Sequence, residues 1–193
     1  MRWSLARLGT VAVVIVAFAG ALAGEAVDDS PQVQESRLKV GYLYKLTLFV
    51  EWPPDVFPRA DTLLSICVSG EDSFAELLEQ MIGQKKPGGR ALTVVRLRTD
   101  EPRGCHVLFL GASRQWQLAK IQERIGNGSV LTVGEGKGFV EHGGVVGLVT
   151  EENRVRLQIN VKAAEHARLK ISSRLLSMAQ LVYELPTAAR EKK

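Results

Sequence analysis

Apolar residues recur every three or four positions from Gln34 to Trp52, and the pattern stops at Pro53-Pro54. This spacing predicts an amphipathic helix with Leu38, Tyr42, Leu46 and Phe49 turned inward and Leu43 and Val50 widening the stripe. The prolines end it, because proline lacks an N–H and disfavours helix in the residue before it. Tyr44 and Leu48 stand four apart on a second face that the inward stripe leaves unused. That pair is a candidate dimer or partner contact.

Further along, short apolar runs alternate with helical patterns. Strands are expected at 63–70, 90–98, 105–111 and 129–134, where β-branched and aromatic residues cluster between turn signals. Helices are expected at 71–83, with Phe74, Leu77, Leu78, Met81 and Ile82 buried, and at 112–126, with Trp116, Leu118, Ala119, Ile121 and Ile125 apolar. Strands alternating with helices imply crossovers and a largely parallel sheet. The segment 143–161 reads instead as an antiparallel hairpin turning at Glu152-Asn153. A short helix near 163–171 and a final amphipathic helix over 172–185, capped by Ser172 or Ser173 and stopped by Pro186, complete the pattern. The expected fold is a single α/β domain over 34–186. Its mixed, mostly parallel sheet has about six strands flanked by helices, with a C-terminal antiparallel hairpin.

Composition changes the picture mainly at the ends. Arg2 and Arg7 precede an uncharged apolar run closed by Ala21-Leu22-Ala23, the layout of a signal peptide spanning 1–23 and cleaved after Ala23. Residues 24–33 read as a polar arm and 187–193 as a flexible tail. Without Arg2 and Arg7 the basic count falls from 25 to 23 against 21 acids, a net charge of +2. No basic stripe is interleaved with aromatics, so nucleic acid is not an expected partner. The two cysteines, Cys67 and Cys105, have two readings. Either they are buried thiols, or in an exported protein they form one disulfide, the preferred reading. Closing a loop of about 39 residues would contribute roughly 4 kcal/mol in the chain-entropy picture.

Candidate chemistry is sparse. His106, His142 and His166 lack the short spacing of a helix-borne metal site, and no metal or other cofactor is expected. Gly134, Gly136 and Gly138 give G-x-G-x-G after a strand, which matches neither the dinucleotide fingerprint nor the P-loop. These glycines are read as a loop needing positive φ, with a small-ligand loop as the weaker alternative. No nucleophile elbow, zinc-protease motif or paired-carboxylate signature appears, so no catalytic residue is nominated.

Several segments, in order, resemble one family. They are "GYLYKLTLFVEWP", "ICVSGEDSFAELLE", "GCHVLFLGAS" and the stretch from "SVLTVGEGKGFVEHGG" through "NRVRLQINV" to "LLSMAQLV". The chain is similar to the YfiR family from about Gln34 to Tyr183. The resemblance implies a periplasmic, non-enzymatic α/β protein that represses a membrane-bound diguanylate cyclase of the YfiN type. Cyclic di-GMP signalling, and with it the control of biofilm formation and motility, would be lowered as a result. It also implies an outer-membrane lipoprotein of the YfiB type as a second partner, and a homodimer. Cys67 and Cys105 match a family cysteine pair that can form a disulfide, while the second pair of some members is missing here. The alternative from a different class is a periplasmic small-ligand-binding component of a transporter or sensor.

Overall fold

A computed structural model describes residues 30–152, 154–179 and 181–183, the last three as backbone only. The expected signal peptide, most of the N-terminal arm, the hairpin residue Asn153, Pro186 and the tail lie outside the described residues.

Helix α1 spans Pro31–Phe49 and starts inside the expected arm. Ser30 caps it, accepting a hydrogen bond from the Val33 N–H, with proline at the first helical position. Its buried stripe is Val40, Leu43 and Leu46, continued by Val50, and Lys39 and Thr47 are buried beside it. This corrects the expected stripe by about a quarter turn. Leu38 is 55% exposed, and Tyr42 and Phe49 lie half-buried at the margin of the core. Apolar residues stand on both sides of the true stripe, so spacing alone did not centre it.

The remaining elements are β1 (Val50–Glu51), β2 (Leu64–Ser69), α2 (Asp72–Ile82), β3 (Leu92–Arg96), β4 (Val107–Leu110), α3 (Leu118–Ile125), β5 (Leu131–Glu135), β6 (Val146–Glu151), β7 (Arg154–Asn160), α4 (Val161–His166), β8 (Lys170–Ile171), α5 (Ser173–Leu176) and β9 (Leu181–Tyr183). Among the described residues, the main sheet has seven strands in the order β3-β2-β4-β5-β6-β7-β9. All neighbours from β3 to β6 pair in parallel, β7 runs antiparallel to β6, and β9 is parallel to β7. The expected α/β class, the mostly parallel sheet and the hairpin are all present. A two-residue ladder, β1 with β8, joins the end of α1 to the C-terminal segment.

Successive residues of β4 show how the layers divide. Val107 and Phe109 join the core under α1 and α2, and Leu108 and Leu110 join the core under α3. Phe74 of α2 stacks on Phe109 with ring centroids 4.4 Å apart. The crossover from β3 to β4 carries no helix. The disulfide between Cys67 on β2 and Cys105 ahead of β4 fastens it to the α3 face, with Cα atoms 5.7 Å apart.

Three expectations about helices are corrected. Met81 is 40% exposed and lies outside the buried face of α2. The run 112–126 opens as a tighter 3-10 helix over Ala112–Gln117, which rotates Trp116 off the Leu118–Ile121 stripe and leaves it 74% exposed. The final helix is one turn, α5, capped by Ser172, followed by strand β9. β7 would otherwise offer an open edge, and Leu-Val-Tyr are strand formers, so edge pairing overrides helical periodicity.

Candidate functional site

In open α/β sheets ligands bind beyond the carboxyl ends of strands, where the strand order reverses. Here the chain winds from β2 to β3 on one side and from β4 to β5 on the other, so the fork lies between β2 and β4. Side chains of the protein pack closely against the glycines at this fork, beside an open recess of about 340 Å³ lined by Gly70, Ser113 and Arg114 among others. A Cβ on Gly111 would fall 2.2 Å from Glu71 Cγ, and one on Gly70 would fall 2.4 Å from Arg114 Cγ. The Ser113 hydroxyl donates to the Gly70 carbonyl at 3.3 Å.

Beside the fork lies a buried charge cluster that sequence reading missed. Lys39 of α1 pairs with Glu35 at 2.6 Å and with Glu135, at the end of β5, at 2.8 Å. Burial alone would depress the Lys39 pKa. Hydrogen bonds to the two carboxylates outweigh it and hold the value above the ordinary lysine range. Burial, and then the charge of Glu135, push Glu71 up. The cleft over this cluster is small, about 190 Å³. Among the described residues no group of His, Cys, Asp or Glu is arranged to hold a metal ion. Spacing along α1 does not reveal this pair, because Glu135 lies 96 positions from Lys39.

The glycine loop serves packing. The Phe139 ring lies against both Gly134 and Gly144, where an added Cβ would fall 2.1 Å from ring carbons. Gly136 and Gly138 hold φ of +89° and +86°, which only glycine adopts freely. The loop folds Phe139 onto the α3 face, where it is 2% exposed.

His106 is held on all sides. Its Nδ1 accepts the Ser65 N–H at 3.0 Å, its ring stacks on Phe57 at 4.6 Å, and its carbonyl accepts the Trp52 indole N–H at 3.3 Å. Burial, outweighing a hydrogen bond to the Val56 backbone, lowers its pKa, with the Arg90 charge acting in the same direction.

The expected contact pair is divided. Tyr44 is half-buried against the core, with the Lys85 ammonium 5.3 Å from its ring centroid, and Leu48 is 45% exposed. The larger apolar exposure is on the opposite layer, at Trp116. Among the open recesses on that layer, two stand out by their apolar lining. One, about 420 Å³, runs between α3 and α4 and is lined by Gln122, Ile125, Val130, Lys162 and His166 among others. The other, about 470 Å³, lies beside Trp116.

No curated protein matches the chain. Solved structures do. A conserved domain protein from Vibrio cholerae O1 biovar El Tor superposes with a TM-score of 0.51 at 14% identity, over 75% of this chain and 60% of that one. An ABC domain in complex with L-Trp from Streptococcus pneumonia superposes with a TM-score of 0.50 at 11% identity, over 79% of this chain and 60% of that one. The chain thus spans about 60% of each, and these likenesses establish the fold. The model of the YfiR/HmsC-like family matches residues 36–180, from α1 to the turn after α5. The chain is therefore a member of the YfiR/HmsC-like family.

Proposed function

We propose that this protein is a periplasmic regulator that binds the periplasmic part of a membrane-bound diguanylate cyclase and holds it inactive. The observation that carries the reading is the family match, which spans nearly the whole described domain. At family level these are periplasmic, non-catalytic regulators in the diguanylate cyclase system. Two structural features support a binding role. Glu71 and Arg114 pack against the glycines of the sheet fork and narrow the place where α/β enzymes and receptors hold ligands, and large apolar side chains stand exposed on both layers. Repression requires tighter binding to the inactive arrangement of the cyclase than to the active one.

Affinity purification of the tagged mature protein from detergent-solubilised membranes tests the binding step. A cyclase with a periplasmic domain is expected to co-purify and to be competed off by untagged protein. A preparation in which every cyclase of the cell stays in the unbound fraction would contradict it. A lipoprotein of the outer membrane that displaces the cyclase, and a homodimeric state, belong to the same proposal. The groove between α3 and α4 favours a second reading, a small-ligand-binding component. Under that reading a thermal-shift screen would find a compound whose effect is lost in Lys162→Ala.

A further inference from the structure

Trp116 is the most exposed large apolar side chain among the described residues, at 74%. Its indole N–H already donates to the Ser113 carbonyl at 3.0 Å, so the ring offers only an apolar plate to its surroundings. The cleft beside it has Leu118 and Phe139 at its apolar base, and Gln115, Ala119, Lys137 and His142 also line it. No carboxylate lines it; Glu141 precedes His142 but is not part of the wall. The Lys137 side chain is 79% exposed, and its contact with Glu151, at 3.7 Å, is of the exposed kind that contributes little. The wall is preformed. Phe139 is locked against Gly134 and Gly144, and His142 Nδ1 bonds the Gly138 carbonyl. A preformed apolar recess with a tryptophan at its lip, and Lys137 as the one formally charged residue of its lining, is built as a recognition site.

We propose that this cleft docks an acidic segment of a partner protein. An apolar side chain of that segment would lie against Trp116, and a carboxylate would meet Lys137. Charge complementarity selects the occupant, because a basic segment would meet Lys137 with no acid in the wall to offset it. This deepens the regulatory reading by naming a surface, and rests on it only for the partner being a protein.

Short random peptides displayed on phage and selected on the purified mature protein provide the test. The selected peptides are expected to share an Asp or Glu close to an apolar residue. Their affinity should fall about tenfold or more in Trp116→Ala. Replacing their acids by lysine should abolish binding to the native protein and restore it to Lys137→Glu. Both positions are exposed, and unchanged melting temperatures would show that the variants fold. No selected peptide, peptides without an acidic preference, or binding indifferent to Trp116→Ala would each overturn the proposal. So would self-association of the protein that Trp116→Ala abolishes, since the occupant would then be a second copy. Cellular cyclic di-GMP does not enter this readout, so failure of the cleft and failure of the regulatory reading are distinguishable.

Discussion

At the residue scale, His106 ties pH to stability. Its Nδ1 must be unprotonated to accept the Ser65 N–H, and burial holds its pKa below the ordinary 6.5. A histidine with a depressed folded-state pKa contributes stability that is fully present above the unfolded value. That stability is lost as pH falls through about 6.5 toward the folded value and below. Melting temperature should therefore drop on acidification through this window, and His106→Gln should flatten that part of the profile. An equal slope in the variant would show that other groups dominate. Gly134 gives a second residue-level expectation. Gly134→Ala places a methyl into the Phe139 ring and should cost about 1–3 kcal/mol in denaturant unfolding. In a Phe139→Ala background, already destabilised by about 3–5 kcal/mol, the same change should be nearly neutral. A full penalty in both backgrounds would mean that the glycine serves something other than this ring.

At the scale of elements, the disulfide replaces a helix. The β3–β4 crossover passes over the α3 face with no helix of its own, and the Cys67–Cys105 bond fastens it to β2. Replacing both cysteines by serine should cost about 2–5 kcal/mol. Equal melting with and without reductant would contradict a structural role. Element type was legible in the sequence wherever a run was long or bounded by strong punctuation. The core strands β2, β4 and β5, helix α2 and the hairpin stand close to their expected positions. What misled was local periodicity whose outcome depends on distant partners. Leu38 fits a helical stripe but faces outward, because the sheet meets α1 along Val40, Leu43 and Leu46. Leu181–Tyr183 fits a helix but completes the sheet beside β7. The Lys39–Glu135 pair and the exposure of Trp116 were not legible at all. The first joins residues far apart in sequence, and the second turns on a single 3-10 segment.

At the scale of the whole molecule, the sheet has the winding of ligand-binding α/β proteins, with its fork narrowed by the protein's own side chains. Glu71 and Arg114 pack against the glycines there, and Lys39 ties α1 to Glu135 at the end of β5. Two solved structures share the fold. Family membership supplies the regulatory context, and the exposed apolar side chains of the two layers supply surfaces on which a partner can act. Cyclic di-GMP measured in cells lacking this gene, with and without complementation by the exported protein, tests the central claim most directly. The account predicts that the level rises on deletion and returns on complementation. An unchanged level, in cells shown to make the protein and a periplasm-sensing cyclase, would contradict it.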